Sequence, residues 1–450
     1  MKISIRKSNL LQGINIVSKA VSNKTTHPIL SCILVEAAGG VIKLTANDME
    51  IGIESYVDGT VIEDGKVALE AKLFSDFIRK LPDSDITIES DKDSKTLIKC
   101  ERLEFNIPGK SGEDFSNLPV VSKDKFITIS QFALREVINQ TIFSISDNEN
   151  NKLMTGELFE VSNNKLSVVS LDGHRISIRY IELKGDNSDI KVVVPGKSLS
   201  DISKIMNGGV DDPVNIYFTD NNILFEFDNT KVVSRLIEGE YFRISHMLSV
   251  DYQIKMKINK REFLDSLDRA TLLIKDSDKK PIRLSIDDRT LGLKISSLIG
   301  SLNEEIDIEK EGNNLVIGFN PKLIIDALRV IDDENVTIYF NNTKSLCVMK
   351  DYAETDIDVI SDIYLPYPSY GNQRRVRRGE NMEIIKLRDE FIKLGQALKA
   401  AGLVESGVDA KEVIVQGLVV VNGEIETRRG RKLYDGDEVE FDGDKISIQK

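Results

Sequence analysis

Hydrophobic and polar positions recur in one register along the first 370 residues. Segments of alternating polarity end at Ile5, Ile129 and Ile258, and apolar residues follow each of them at the same offsets. These residues are Leu10, Leu134 and Phe263, then Ile14, Ile138 and Leu267, then Val21, Ile145 and Ile274. Alternation is the period of a strand, and spacings of four and seven residues mark one face of a helix. Each segment therefore predicts a strand followed by an amphipathic helix.

A second register predicts a later helix in each repeat. Lys72, Lys197 and Lys322 lie 125 residues apart, and an aspartate and a further cation follow each lysine four and seven residues on. The followers are Asp76, Asp201 and Asp326, then Arg79, Lys204 and Arg329, with apolar residues in step at Phe74, Leu199 and Ile324 and at Leu81, Met206 and Ile331. Two registers in phase predict one unit used three times. Each unit reads as strand, helix, several strands, second helix and further strands, an α+β fold.

The pattern changes after residue 370. Residues 371–381 contain four arginines and almost no apolar residues, which is typical of an exposed linker. Beyond them Leu387, Phe391, Leu394 and Leu398 predict one helix face, and Val413 to Val415 continue a second helix. Val419 to Val421 lead into Asn422-Gly423, a strong hairpin signal, and Asp435-Gly436-Asp437 precedes a strand with Val439 and Phe441. The predicted domains are 1–122, 123–253 and 254–370, then the linker 371–381 and a small domain 382–450.

Composition narrows the class of protein. The 450 residues are 41% hydrophobic and carry a net charge of -13. No stretch approaches the roughly twenty apolar residues of a membrane helix, and the N-terminus is unlike a signal peptide, so we expect a cytoplasmic protein with no membrane partner. Cys32, Cys100 and Cys347 lie far apart among strand-like residues, which favours buried free thiols over a disulfide or a metal site.

Charge is unevenly distributed along the chain. Residues 371–450 carry 15 basic and 15 acidic side chains, so the whole net charge of -13 belongs to the first 370 residues. Cations of the predicted helices nevertheless avoid the apolar stripes, both in the lysine triads and at Lys19, Arg135, Arg261 and Arg269. Two interpretations stay open from the pattern alone. The cations are solvated helix faces tied by intrahelical ion pairs, or they form a row that follows a phosphate backbone without reading bases.

No enzyme signature is found. Pro108-Gly109-Lys110-Ser111 and Pro195-Gly196-Lys197-Ser198 resemble the end of a phosphate-binding loop, but Glu104 and Lys191 stand where that loop needs its first glycine. The chain has three histidines and no cluster of His and Cys, so no metal site is expected. We predict no catalytic residue and no cofactor.

Several short motifs resemble the bacterial DNA polymerase III β subunit, the sliding clamp. They are His27-Pro28-Ile29-Leu30, Leu44-Thr45-Ala46-Asn47-Asp48, Gly156-Glu157-Leu158-Phe159-Glu160 and Leu171-Asp172-Gly173-His174-Arg175-Ile176, in the right order over residues 1 to about 370. The resemblance implies a head-to-tail homodimeric ring of six similar domains around duplex DNA, with helices lining the bore. It also implies a non-catalytic processivity factor for the replicative polymerase, associated with the nucleoid. This favours the second interpretation of the cations.

The resemblance also implies binding residues. Lys24 and Lys197 match basic DNA contacts of the family, whereas Lys72, Arg79, Lys204, Lys322 and Arg329 are assigned to the bore by repeat geometry. A groove that binds short peptide motifs of the polymerase, the clamp loader and repair proteins matches Met154, Leu171, Gly173, His174, Arg175, Ile176, Met247, Ile363, Leu365, Pro366 and Tyr367. By itself a lone histidine such as His174 is more often structural than a binding residue. Phe242 and His246 replace the family's usual proline and arginine, and the chain continues past Tyr367 where the family ends, so we expect altered side-chain preference.

Residues 382–450 resemble the small RNA-binding domain first known from ribosomal protein S-four. The motifs are Gly417-Leu418-Val419-Val420-Val421-Asn422-Gly423 and Gly436-Asp437-Glu438-Val439. The resemblance implies binding of structured RNA through a helical face with Lys393, Lys399 and Lys411 and a loop with Arg428, Arg429, Arg431 and Lys432. A merely solvated hairpin loop is the alternative for that loop cluster. Two other functions also stay open for the whole chain: an acidic protein-interaction scaffold, and a ribosome-associated RNA-binding protein.

Overall fold

The protein is described by a computed structural model. It describes residues 1–22, 25–185, 187–244, 252–274, 281–297, 299–341, 347–350, 357–360, 363–364, 383–387, 391–401, 403, 407–415, 419–428, 430–441 and 444–449. The chain divides into two compact units, Met1–Pro366 and Tyr367–Lys450. The domain limits predicted within the first unit remain predictions.

The first repeat follows the predicted order of elements. Its elements are β1 (Lys2–Arg6), α1 (Lys7–Val17), β2 (Cys32–Ala38), β3 (Val41–Asn47), β4 (Ile51–Val57), β5 (Gly59–Glu63), β6 (Gly65–Glu70), α2 (Ala71–Lys80), β7 (Asp85–Ser90), β8 (Lys95–Cys100), β9 (Leu103–Pro108) and β10 (Lys110–Ser111). The Glu70 carboxylate begins α2 by accepting the backbone N–H groups of Lys72 and Leu73.

The second and third repeats return to the same order. The second consists of β11 (Phe126–Ser130), α3 (Gln131–Thr141), β12 (Gly156–Ser162), β13 (Lys165–Leu171), β14 (Arg175–Glu182), β15 (Ile190–Pro195), α4 (Gly196–Ile205), β16 (Pro213–Phe218), β17 (Asn222–Phe227) and β18 (Thr230–Arg235). The third consists of β19 (Ile254–Asn259), α5 (Lys260–Thr271), β20 (Ile282–Ile286), β21 (Thr290–Ser297), β22 (Gly300–Gly312), β23 (Leu315–Phe319), α6 (Pro321–Val330), β24 (Asn335–Phe340), β25 (Cys347–Lys350), β26 (Ile357–Ile360) and β27 (Ile363–Tyr364).

Antiparallel sheets continue from one repeat into the next. β4 of the first repeat pairs with β18 of the second, which builds a nine-stranded sheet. β14 of the second repeat pairs with β26 of the third, which builds a 13-stranded sheet. The two helices of each repeat pack against each other and bury their apolar faces on the sheets. The α+β repeat architecture predicted from the sequence is confirmed.

The core contains the predicted helix stripes, with one correction. Leu10, Leu134 and Phe263, and likewise Ile14, Ile138 and Leu267, are fully buried on α1, α3 and α5. Val21, Ile145 and Ile274, predicted on the same helix faces, instead follow the ends of the helices. Each helix ends in a short turn before these positions, so the first two predicted positions lie on the helix and the third lies in the connection that follows it. The three cysteines are buried and free, as predicted.

The C-terminal unit is a small mixed domain. Its elements are β28 (Glu383–Lys386), β29 (Ile392–Lys393), α7 (Leu394–Ala400), α8 (Gly407–Val415), β30 (Val419–Val421), β31 (Glu424–Ile425), β32 (Lys432–Leu433), β33 (Glu438–Phe441) and β34 (Asp444–Gln449). Asn422 and Gly423 both have positive φ and close the predicted hairpin. The helix predicted to include Leu387 and Phe391 begins only at Leu394, because the preceding Ile392 and Lys393 pair with β32.

Candidate functional site

The three charged triads occupy equivalent places on three helices of equal length. α2, α4 and α6 each have ten residues, and the lysine, the aspartate and the last cation are the second, sixth and ninth of them. Every one of the six cations is exposed. The prediction that these cations avoid the apolar stripes of their helices is confirmed, whereas their predicted role toward DNA stays a prediction.

Cations from two repeats line one cleft. The cleft has a volume of about 610 Å³ and lies between α1, α2 and α4. Lys19, Arg79 and Lys204 line it together. The folded chain therefore gathers on one helical surface positive charges that are up to 185 residues apart in sequence. Such a surface attracts a polyanion although the repeat unit as a whole is acidic.

Nearby carboxylates reduce the positive charge that these cations present to solvent. Arg79 lies 3.5 Å from Asp76, and Lys204 lies 4.0 Å from Asp201, each within one helix. Arg329 instead lies 3.5 Å from Asp268 on α5. The Arg79 and Arg329 pairs are exposed on both sides, and such pairs contribute about 1 kcal/mol or less, so these arginines can exchange their partners for phosphate at small cost.

Lys197 connects the first two repeats. Its ammonium group donates to Asp48 Oδ2 at 2.9 Å, and Asp48 stands in the loop between β3 and β4. This hydrogen bond raises the pKa of Lys197. The other carboxylate oxygen of Asp48 accepts the backbone N–H groups of Glu50 and Ile51 and closes the loop. Lys197 thus has a structural partner in addition to its predicted place beside DNA.

Arg175 connects the second and third repeats. Its guanidinium donates to Asp172 Oδ2 at 3.0 Å and to Asp326 Oδ2 on α6 at 2.7 Å. It also lies 5.1 Å from the ring centroid of Phe143. Asp326, which stands between Lys322 and Arg329 in the third triad, therefore pairs with Arg175. Because the Arg175 side chain is only 14% exposed, we interpret it as a residue that positions the loop between β13 and β14, which contains Asp172, Gly173 and His174.

An apolar cluster underlies this loop on the sheet face opposite α3 and α4. Leu171 and Ile176 are buried in it, and Met154 packs against it half-buried. Tyr241 and Tyr339 complete the cluster, although neither was predicted from the sequence. Tyr241 comes from the segment after β18 and Tyr339 from β24 of the third repeat, so no local sequence pattern predicts that they meet here. Their assembly brings together the described apolar residues of the predicted groove.

The rim of this cluster is exposed. His174 and Gly173 lie exposed in the loop, where Gly173 has a φ of 91° that favours glycine. Phe242 is 37% exposed and meets the Tyr241 ring edge-on at 5.7 Å between centroids. A cavity of about 360 Å³ opens beside Tyr241. The arrangement offers apolar surface with polar edges, which suits a short peptide anchor.

Glu157 is a buried carboxyl group behind the cluster. Its Oε1 lies 3.0 Å from Thr141 Oγ1, while Oε2 has no hydrogen-bond partner among the described residues. Burial raises its pKa to about 8. The Thr141 hydroxyl also lies 2.7 Å from the Val137 carbonyl oxygen, so it can donate there and accept from a protonated Glu157. With this raised pKa the carboxyl group is mostly protonated at pH 7.

The cations of the C-terminal unit form two groups. Lys393, Lys399 and Lys411 are exposed at the end of β29 and on the two helices. In the loop, Arg428 and Arg431 lie 2.8 and 3.8 Å from Glu426. The hydrogen bond from Arg428 lowers the Glu426 pKa to about 2, so this carboxylate stays ionised and orders the loop cations.

Some predicted residues lie outside the described part of the chain. They are Lys24, His246, Met247, Leu365, Pro366, Tyr367, Arg429 and the linker 371–381, and Ile363 is described by its backbone alone. Among the described residues, no helix is long and apolar enough to span a membrane, and no group of His, Cys, Asp or Glu could hold a metal ion.

Known families match both units. The family models described as DNA polymerase III beta subunit, N-terminal, central and C-terminal domain, match residues 1–119, 128–242 and 246–364. A model described as S4 domain matches residues 385–449. The three beta-subunit matches are consecutive and fall on the three repeats.

Individual proteins are similar over the first unit. The "Beta sliding clamp" of Staphylococcus epidermidis is 34% identical over 380 residues, which cover 82% of this chain and all of that protein. A crystal structure of a putative DNA polymerase III beta subunit from Eubacterium rectale is 60% identical, with a TM-score of 0.78, covering 80% of this chain and 98% of that one. The DNA polymerase sliding clamp of Bacillus subtilis is 30% identical, with a TM-score of 0.79, covering 82% of this chain and 100% of that one.

Proposed function

This chain belongs to the DNA polymerase III beta subunit family, the sliding clamps, and from that membership we propose that two copies form a ring around duplex DNA. In this function the protein is a non-catalytic accessory subunit that confers processivity on the replicative polymerase. The C-terminal S4 domain adds a fused nucleic-acid-binding module. We place the assembly at the nucleoid because its proposed substrate is duplex DNA.

The ends of the repeat array support a ring of two copies. Each junction within the chain joins the third strand after the first helix of one repeat to the third strand after the second helix of the next, β4 to β18 and β14 to β26. The equivalent strands left over are β9 at one end and residues 300–307 of β22 at the other. In the described part of the chain, the outer edge of each is unpaired. A second copy in head-to-tail orientation offers each edge the partner strand that the array lacks.

The helical cations suit a surface that slides on DNA. Lys19, Arg79 and Lys204 are exposed around one cleft and bound only weakly to carboxylates, so each can contact phosphate transiently. At physiological salt such contacts are strongly screened. A closed ring retains DNA by topology and needs no tight contact. This cleft is the single observation that carries the DNA assignment.

Retention on circular DNA tests the clamp function. We expect the chain, loaded onto a nicked circular plasmid by a bacterial clamp loader, to remain bound and to dissociate when the plasmid is linearised. Equal retention on both forms would contradict a ring.

Charge reversal tests the cation surface. R79E/K204E should lower the slope of log affinity for duplex DNA against log salt by about 2, as expected for two lost phosphate contacts. The matched control K92E/K184E changes two exposed lysines in loops outside the helical face. An equal change in both variants would reject the assignment of the helical face to DNA.

The apolar cluster between the second and third repeats serves as the groove for partner peptides from the polymerase, the clamp loader and repair proteins. Its buried floor at Leu171, Ile176 and Tyr241 and its rim at half-buried Met154 and exposed Phe242 support this assignment. Phe242 enlarges the aromatic part of the rim, so the groove favours aromatic anchors.

A labelled pentapeptide with leucine and phenylalanine side chains tests the groove. M154A and F242A should each weaken its binding about 5- to 30-fold, the range for the loss of an interface anchor. V210A removes an exposed side chain in the loop after α4 and is the control. If V210A weakens binding as much as M154A, the peptide does not bind at this cluster.

The C-terminal domain binds structured RNA through the exposed lysines of α7 and α8 and the loop cations held by Glu426. Its match to the S4 domain supports this assignment. Deleting residues 382–450 should abolish RNA binding and leave retention on circular DNA unchanged.

A further inference from the structure

A two-stranded ribbon in the C-terminal unit places two lysines side by side. β29 and β32 run antiparallel, with Ile392 opposite Leu433 and Lys393 opposite Lys432. Ile392 and Leu433 pack into the core of the unit. Because neighbouring residues of a strand point to opposite faces, Lys393 and Lys432 lie on the face toward solvent. None of the ion pairs formed by the described residues of this unit involves either lysine.

Two aromatic rings continue the same face. The centroids of Phe391 and Tyr434 are 6.1 Å apart, with 52° between the ring planes. Lys432 Nζ lies 3.9 Å from the Phe391 centroid and so covers one face of that ring. Tyr434 is 49% exposed, and its backbone N–H donates to Asp437 at 2.7 Å. The Tyr434 backbone is therefore anchored while much of its side chain remains open to solvent.

Two exposed arginines lie in the loop that leads into β32. Arg431 precedes Lys432, and its backbone N–H donates to the Arg428 carbonyl oxygen at 3.0 Å. Both guanidinium groups are held near Glu426, which fixes their positions without neutralising the four cations together. The ribbon thus combines an open aromatic ring with two exposed lysines, and two further cations lie in the adjoining loop.

A similar aromatic pair in the first unit differs from the ribbon in the partner of its lysine. Phe126 and Tyr217 lie directly opposite each other on β11 and β16, with centroids 5.8 Å apart and Lys123 4.8 Å from the Tyr217 ring. There, however, Lys123 donates to both oxygens of Glu226, at 2.7 and 2.6 Å. A carboxylate at that position repels phosphate, whereas the ribbon of the C-terminal unit keeps its lysines available.

We infer that this ribbon is a base-stacking platform for unpaired nucleotides of a single-stranded nucleic acid. Tyr434 stacks on one base, Lys432 and Phe391 support its position, and Lys393 with Arg428 and Arg431 contacts the flanking phosphates. The inference rests on the proposed nucleic-acid binding of this domain and specifies which part of a nucleic acid the ribbon contacts.

The exposed ring is the reason for choosing an unpaired base. Cations alone suffice to follow a duplex backbone, in which the base faces are already stacked on each other. Unpaired bases expose their faces, and stacking on an aromatic side chain contributes about 1–3 kcal/mol per base. The cations near Tyr434 contact the phosphates on either side of the base that stacks on its ring.

Anisotropy titrations of the full chain test the platform. The probes are a fluorescein-labelled 12-nucleotide RNA, the DNA of the same sequence, and the RNA as a blunt duplex. Y434A should weaken single-strand binding about 5- to 150-fold and leave duplex binding within twofold, while Y434F should bind like the wild type. F126A is the matched control and should leave binding to every probe unchanged. As a second readout, 2-aminopurine within the strand should be quenched on binding to the wild type and not to Y434A.

The outcomes separate the platform from the proposed function. Loss confined to RNA assigns the platform to RNA, and loss on both strands assigns it to any single strand. If Y434A binds single strands like the wild type, the platform is wrong while nucleic-acid binding by the domain stands. If the wild type binds none of the probes through residues 382–450, the platform and the proposed function of this domain are both overturned.

Discussion

The first and second repeats contain the same loop, between β3 and β4 and between β13 and β14. The loop of the first repeat contacts a cation of the next repeat, and the loop of the second contacts an anion. In both, an aspartate after the third strand closes the loop with one carboxylate oxygen, Asp48 in the first repeat and Asp172 in the second. Asp48 itself then accepts from Lys197 of the next repeat, whereas Asp172 holds Arg175, which donates to Asp326. The first junction therefore pairs a cation of a helical triad, Lys197, with a carboxylate. The second junction pairs an anion of a triad, Asp326, with an arginine. Equal sequence triads therefore leave unequal charge on the helical surface.

The cores of the two repeats differ at one pair of positions. Val17 at the end of α1 and Ile33 on β2 are fully buried in the first repeat. Thr141 and Glu157 occupy the equivalent places in the second, and the third repeat has Ala270 and Ile282. An apolar pair suffices to fill this space, so the buried carboxyl group of the second repeat is an addition that the shared fold does not require.

Removing this carboxyl group should give the largest effect. With a folded pKa of about 8 against an ordinary 4.5, Glu157 binds its proton more tightly in the folded state. Its contribution is fully present below pH 4.5 and is lost as pH rises toward 8, so unfolding free energy should fall by about 1.4 kcal/mol per pH unit there, roughly 5 kcal/mol in total. E157Q should remove this dependence in urea titrations from pH 5 to 9. An E157Q profile as steep as that of the wild type would reject the assignment, and V17T is the control in the first repeat.

Breaking the two junctions should give unequal effects. R175A leaves two partly buried carboxylates facing each other and should cost about 3 kcal/mol of unfolding free energy. K197A removes a side chain that is 70% exposed and should cost less than about 1 kcal/mol. Double-mutant cycles with D326N and D48N measure the coupling within each pair. Equal coupling energies would show that the two junctions are equivalent despite their different burial.

Substituting the residue after each loop aspartate should give the smallest change in stability. Met49 has a φ of 77° and Gly173 a φ of 91°, so the first loop carries a side chain where the second has none. Met49 is 56% exposed, and a Cβ at Gly173 would meet no atom within 4 Å, so backbone strain decides both substitutions. M49G should stabilise by about 0.5 kcal/mol and G173A should destabilise by about 1 kcal/mol in thermal unfolding. A destabilising M49G would mean that packing of the Met49 side chain outweighs its strain.

The sequence by itself determined the period of the fold and the elements within it. The registers of Leu10 and of Lys72 predicted helices at the right places in all three repeats, and Asn422-Gly423 predicted its hairpin, because these signals depend on residues close together in the chain. The exposed sides of the helices followed from the same periodicity. Where the third position of a stripe failed, at Val21, a turn ended the helix early.

Only the tertiary structure decided which charged and aromatic groups meet. Lys197 and Asp48 are 149 residues apart in sequence, and Arg175 and Asp326 are 151 apart. Tyr339 reaches the apolar cluster from another repeat, and Phe391 meets Tyr434 through two strands too short to recognise by alternation. Periodicity reports which face a residue occupies and carries no information about the partner on the opposing element. The sheet pairings that join the repeats supply that information.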